Sequence, residues 1–150
     1  MELELLIGDF VLHLFYDLLY PRENVYNCYN IELQIPTIAL VMGQGGIISR
    51  LLSPKFGGFL TFGSLASGKE SAPGQPTLAD LRNIYGLQGV SRETKIYGII
   101  GKPVSHSKGP IIHNAAFRSI GYDGIYVPFL VDNLKEFLTV YNGTDFTGFR

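Results

Sequence analysis

Tryptophan is missing from this 150-residue chain, and cysteine occurs once, as Cys28. A single thiol excludes an internal disulfide and points to a reducing compartment. Zinc-type sites need several Cys or His ligands at short spacings. The three histidines, His13, His106 and His113, show no such spacing, so no metal is expected. An excess of either charge is also lacking, with 12 Lys and Arg against 13 Asp and Glu. That balance gives no field to gather nucleic acid or an anionic membrane surface, and it leaves small neutral or anionic ligands as partners. The apolar stretch from Leu3 to Tyr20 is interrupted by Asp9, His13 and Asp17. It falls short of the roughly 20 apolar residues that cross a bilayer, so no membrane helix is expected. No basic residue precedes Arg22, and neither a secretory signal nor a transit peptide is visible. Internal repeats and low-complexity tracts are absent too.

What is present is a hydrophobic content of 46%, enough for one ordinary core. Ile35-Pro-Thr-Ile-Ala-Leu-Val-Met42 is a near-continuous apolar run, the pattern of a parallel strand covered on both faces. A turn at Gly43 to Gly46 leads into a short helical piece, Ile47 to Leu52, and Gly58-Phe-Leu-Thr-Phe-Gly63 reads as a second buried strand. Thr77-Leu-Ala-Asp80 fits a capping box, with Leu78, Leu81 and Tyr85 on one helix face and Gly86 as the stop. A polar connector, Gly89 to Thr94, precedes a strand at Lys95 to Gly101. Pro110 then opens a helix running to about Ile120, its stripe formed by Ile112, Ala115, Ala116 and Ile120, with Gly121 as the stop. A strand at Gly124 to Val131, a helix face of Leu134, Phe137, Leu138 and Tyr141, and a strand from Phe146 complete a β-α-β-α-β order. The class is α/β. Residues 1–34, including Asn24-Val-Tyr-Asn-Cys-Tyr-Asn30, show no clear period and are left unassigned, as either a frayed helix with a loop or sequence outside any fold.

Three glycine-rich turns invite a nucleotide reading. Gly63-Ser-Leu-Ala-Ser-Gly68-Lys69 has phosphate-loop spacing, but Glu70 stands where a Ser or Thr should meet magnesium, and Pro73-Gly74 forbids the helix that must follow. A surface loop is the better reading. Gly43-Gln-Gly-Gly46 lacks the third glycine of a dinucleotide turn and Gly101-Lys102-Pro103 the upstream one, so neither is expected to bind a cofactor.

Ser71-Ala-Pro-Gly-Gln75 offers a hydroxyl and an amide on a stiffened loop, and Arg50 follows the preceding strand, where it could reach the same rim. Singly these are ordinary turn residues and a solvated arginine. Together, Ile47-Ile-Ser-Arg50, Phe56-Gly-Gly, Thr61-Phe-Gly63 and Ser71 to Gln75 resemble the last quarter of the type I 3-dehydroquinate dehydratases. The resemblance implies that Arg50 pairs with the substrate carboxylate and that Ser71 and Gln75 hold substrate oxygens. The family's Schiff-base Lys and its general acid/base His fall on earlier strands, and Lys55 and Lys69 match neither position.

Gly101-Lys-Pro-Val-Ser-His-Ser-Lys-Gly-Pro110, with Tyr97-Gly-Ile-Ile before it and His113-Asn-Ala-Ala-Phe117 after it, resembles the opening of the shikimate dehydrogenases. In isolation Ser107 is as readily a plain N-cap. The family uses two hydroxyls of a His-Ser-Lys-Ser-Pro turn to grip a carboxylate at a helix N-terminus, where free amides and the helix dipole favour an anion. That carries Ser107 over as a substrate ligand, whereas Gly109 replaces the second serine. Loss of one charge-assisted bond, worth about 1.5–3 kcal/mol, implies roughly ten- to hundredfold weaker carboxylate binding unless Ser105 substitutes. Tyr126, His113 and Asn114 read as packing or helix-surface residues.

The two resemblances imply the last βαβα part of a dehydratase TIM barrel over residues 35–90, followed over 91–150 by the N-terminal βαβαβ of a dehydrogenase substrate domain. They imply a plant-type fused enzyme of the shikimate pathway. They also imply NADP as the cofactor of the full-length family, held by none of these residues, and a chloroplast location. Both sites would lack their catalytic groups here, so the chain alone is expected to be inactive. Two alternatives are a shikimate-binding module and an interaction protein that completes its sheet against an intact homologue.

Overall fold

The computed structural model describes residues 2–7, 10–15, 36–141 and 145–150. Two strands that the sequence reading did not assign come first. β1 (Glu2–Ile7) runs antiparallel to β2 (Phe10–Phe15), and β2 runs parallel to β3 (Thr37–Val41). This corrects the expectation of helix or unstructured chain for that part of residues 1–34. The signal was the period-two alternation of Glu2-Leu3-Glu4-Leu5 and the β-forming run Phe10 to Phe15. The Asn24–Asn30 cluster lies outside the described residues.

Every residue of β3 is buried, as its apolar run demands. Helix α1 (Ile47–Leu51) follows, and Ser49 joins it to the strand: its hydroxyl accepts from Val41 N at 3.0 Å and donates to Gly46 O at 2.7 Å. The strand expected at Gly58 to Gly63 does not form. Phe59 N donates to Thr37 O at 2.8 Å, but Phe59, Leu60 and Phe62 are 51%, 38% and 43% exposed. An apolar run becomes a buried strand only when other layers cover it, and here water does. Helix α2 (Leu78–Asn83) has the expected cap, Asp80 N donating to Thr77 Oγ1 at 3.0 Å.

The second sheet is parallel in the order β5-β4-β6, built from β4 (Lys95–Gly101), β5 (Gly124–Leu130) and β6 (Phe146–Phe149). Helices α3 (Gly109–Ser119) and α4 (Leu134–Val140) make the crossovers. The predicted stops Gly86 and Gly121 both take positive φ, 62° and 66°. The predicted stripe of α3 faces water, with Ile112 62% and Ile120 75% exposed. The helix instead turns Asn114 and the rings of His113 and Phe117 inward, Asn114 buried and His113 stacked on Tyr126 at 4.3 Å. Asn114 decides the matter, because its amide donates to Tyr126 O at 2.9 Å and accepts from Tyr126 N at 2.7 Å.

One core crosses the junction. Leu51, Leu52 and Leu81 pack in the same buried cluster as Ile96, Ile125, Val127, Phe129, Phe137 and Tyr141. Gly98 belongs in it because a Cβ there would lie 2.3 Å from Phe129 Cε2, so any side chain would expel that ring. Two polar ties flank the cluster. The Arg118 guanidinium donates to Ile84 O and Asn83 O, each at 2.9 Å, closing the carbonyl end of α2. Lys55, buried, donates to Arg92 O at 2.6 Å and pairs with Asp145 at 2.9 Å.

Candidate functional site

Two loops meet where the halves join. The first, residues 71–76, turns before α2, and Gln75 Oε1 accepts from both Ser71 N (2.9 Å) and Ser71 Oγ (3.1 Å). Its carbonyl oxygen is thereby spent within the loop, and its amide NH2 stays available as a donor. The second, residues 102–108, ends in a turn closed by Ser107 N to Val104 O at 3.1 Å, and Ser107 Oγ accepts from Gly109 N at 3.1 Å. The Ser107 hydroxyl proton remains to be donated at the start of α3. Lys102 and Asp132 form an ion pair at the base of this loop.

Between the loops lies a cavity of about 430 Å³, in the range of small-molecule sites. Its polar lining includes Gln44, Gln75, Asp80 and Tyr85 from the first half and Ser107 and Lys108 from the second. Burial, helped by the charge of Asp80, pushes the pKa of the Tyr85 phenol, a lining residue, up to about 12. Tyr126, beneath α3, is also raised by burial, with the Arg150 charge acting in the opposite sense. Its hydroxyl is buried and has no hydrogen-bond partner among the described residues.

The structure thus places Gln75 and Ser107 on one cavity, although the sequence reading assigns them to two different sites. Ser71 is exposed and reaches the cavity only through Gln75. Arg50 is 2% exposed within α1, its Nη2 3.8 Å from Met42 Sδ, and is not part of the cavity lining. Ser105 lines the cavity beside Ser107, and Lys69 is exposed on its loop. In that loop Gly68 N donates to Glu70 Oε1 at 3.0 Å, which fills with a carboxylate the place a phosphate oxygen would take. Asp80 and Tyr85 escaped the sequence reading because a helix cap and a helix face account for them fully.

Among the described residues no group of three or more His, Cys, Asp or Glu is placed to hold a metal, and no helix is long and apolar enough to cross a membrane. The type I 3-dehydroquinase family matches residues 23–92, and the shikimate dehydrogenase substrate binding domain matches residues 99–150. The chain is 60% identical over 118 residues to the chloroplastic bifunctional 3-dehydroquinate dehydratase/shikimate dehydrogenase of Arabidopsis thaliana, covering 79% of this chain and 20% of that protein. Over 54 residues it is 54% identical to the shikimate dehydrogenase (NADP(+)) of Pyrococcus furiosus, covering 36% of this chain and 19% of that one. It therefore spans about a fifth of either relative. The solved dehydroquinate dehydratase and shikimate dehydrogenase from S. pombe AroM is 30% identical, with a TM-score of 0.34, over 80% of this chain and 22% of that one. With both family matches present in that order, the chain carries a type I 3-dehydroquinase segment followed by a shikimate dehydrogenase substrate-binding segment, similar to the junction of the bifunctional relative.

Proposed function

We propose that the chain is a substrate-binding junction segment, with the dehydratase piece over residues 35–90 and the dehydrogenase piece over 91–150, acting in the chloroplast on ligands of the shikimate and dehydroquinate class. The observation that carries this is the shared cavity, which sets the Gln75 amide and the Ser107 hydroxyl on one lining. Ser107 receives the carboxylate: its proton is free to donate, and the first turn of α3 adds backbone amides and the positive end of the helix dipole. Gln75, held by Ser71, donates to a substrate oxygen. On the family resemblance, Arg50 pairs with the carboxylate of the dehydratase substrate. NADP serves the hydride chemistry of the full-length family, and these residues offer it no dinucleotide turn. We propose that the chain alone turns over neither 3-dehydroquinate nor shikimate, because no residue matches the dehydratase Schiff-base Lys and the resemblance carries no catalytic group of the dehydrogenase over to these residues.

Calorimetric titration of the chain with shikimate tests the reading. Saturable binding is expected, about tenfold weaker in Ser107→Ala. Gly109→Ser should strengthen it about tenfold by restoring the second hydroxyl. A Cβ at position 109 would lie 3.0 Å from Tyr126 Cε1 and 3.1 Å from Ser107 Oγ, so the Tyr126 ring must yield by a few tenths of an ångström. Equal affinity in wild type and Gly109→Ser would show that Ser107 suffices. No saturable binding in any of the three would favour the second reading, a protein that completes its sheet against an intact homologue. The exposure of Phe59, Leu60, Phe62 and Leu65 supports that reading. Co-purification with such a homologue is its positive test.

A further inference from the structure

Three rings meet where the chain leaves α3 for β5. Tyr97 stands on β4, Phe117 near the end of α3, and Tyr122 in the turn that follows. None of the three lines the cavity. Phe117 packs against both tyrosines, its ring centroid 5.3 Å from that of Tyr97 and 5.2 Å from that of Tyr122. The backbone of Tyr122 is held twice, its N–H donating to Phe117 O at 2.9 Å and its carbonyl accepting from Gly124 N at 3.0 Å. Its ring fills space that only a glycine leaves, because a Cβ at position 124 would lie 2.7 Å from Tyr122 Cε1. Held in this way, the Tyr97 and Tyr122 hydroxyl oxygens are 2.6 Å apart. That hydrogen bond raises the Tyr122 pKa above the usual phenol range, so Tyr122 keeps its proton at neutral pH. The ring centroids are 6.1 Å apart at an interplanar angle of 54°. With the hydroxyls touching, this spacing sets the rings obliquely and not end to end, with a carbon ortho to each oxygen on the near side. Tyr122 is 40% exposed, so a small oxidant reaches it.

We propose that Tyr97 and Tyr122 form an oxidative cross-linking site, at which a peroxide-driven one-electron oxidant joins them into an intrachain dityrosine that fastens the turn after α3 to β4. Each phenol gives up one electron and its hydroxyl proton and becomes a phenoxyl radical. A carbon–carbon bond forms between the two ortho positions, and the hydrogen on each of those carbons moves to its oxygen, which restores both aromatic rings and both hydroxyls. The pair loses two hydrogen atoms in all. One molecule of peroxide accepts the two electrons and two protons, its O–O bond breaks, and two waters leave. Holding the partners in contact makes the coupling effectively unimolecular, which favours it over encounters between chains. The site is independent of the ligand reading, since it shares no residue with the cavity.

The test exposes the whole 150-residue chain, in dilute solution, to a peroxidase and hydrogen peroxide, and reads dityrosine fluorescence, migration on a denaturing gel and the masses of proteolytic peptides. Wild type should give a fluorescent product that still migrates as a single chain, with the Tyr97 and Tyr122 peptides joined and lighter by two hydrogen atoms. Tyr97→Phe and Tyr122→Phe should each cut the intrachain yield about tenfold or more. Gly124→Ala keeps both phenols but displaces the Tyr122 ring, and it should cut the yield by a similar factor. Should circular dichroism show that Gly124→Ala does not fold, the two Phe variants decide. A link mapped to another pair of tyrosines, dityrosine found only between chains, no dityrosine at all, or full intrachain yield in either Phe variant overturns the proposal. Full yield in a folded Gly124→Ala chain also overturns it, since chance collision and not the held geometry would then make the link.

Discussion

Tyr85 gives the site a titratable marker. Its pKa is raised from the ordinary 10.0 to about 12, so the folded chain keeps a proton that the unfolded chain surrenders. The contribution is intact below pH 10 and is lost as pH climbs through the folded value. A gap of this size is on the order of 2–3 kcal/mol. Stability should therefore fall steeply between pH 10 and about 12, and Tyr85→Phe should flatten that alkaline limb in urea titrations followed by circular dichroism. Parallel losses in the two chains would mean that other groups govern it. Single residues of the site were legible where a turn motif singled them out, as at Ser107 and Gln75. Asp80 and Tyr85 were not, because a cap and a helix face explain them locally and their cavity exists only once the second loop has folded against α2. The burial of Arg50 likewise follows from packing, which a polar residue in a sequence does not announce.

At the scale of elements, α3 shows how a hydrogen bond can outvote a hydrophobic stripe. β5 is an edge strand, and Asn114 occupies its open side as a neighbouring strand would, satisfying both backbone groups of Tyr126. Asn114→Ala should cost about 2–4 kcal/mol in urea unfolding, since it orphans a buried donor and a buried acceptor. Ile112→Ser, on the predicted but exposed stripe, should stay within about 0.5 kcal/mol. A comparable loss at Ile112 would mean that the stripe is buried after all. Strands β3 and β5 were readable because coverage on both faces writes a continuous apolar run. The same kind of run at Gly58 to Gly63 misled, since sequence shows that a segment wants cover and not whether cover arrives. β1 and β2 were missed because Asp9, His13 and the later Asn and Tyr cluster masked a short alternation.

For the molecule as a whole, the two family pieces behave as one body, with Lys55 as the polar anchor of the joint core. Asp145→Asn should be destabilising by roughly 1–3 kcal/mol, because it removes the countercharge and leaves the buried ammonium with neutral oxygens alone; the half-open setting of Asp145 keeps this below the value for a fully buried pair. In a Lys55→Met background the same change should cost almost nothing. Equal costs in the two backgrounds, measured by urea unfolding, would show that the pair is not coupled. The connector itself is fastened along its length: Lys55 holds Arg92 O, Ser91 N donates to Thr94 Oγ1, and Thr94 Oγ1 donates to Asp123 at 2.6 Å. A joint pinned in this way gives the two halves no tether on which to swing apart. A ligand seated between them must leave through the mouth of the cavity, so its residence time is set by the local give of the 71–76 and 102–108 loops and not by any parting of the halves.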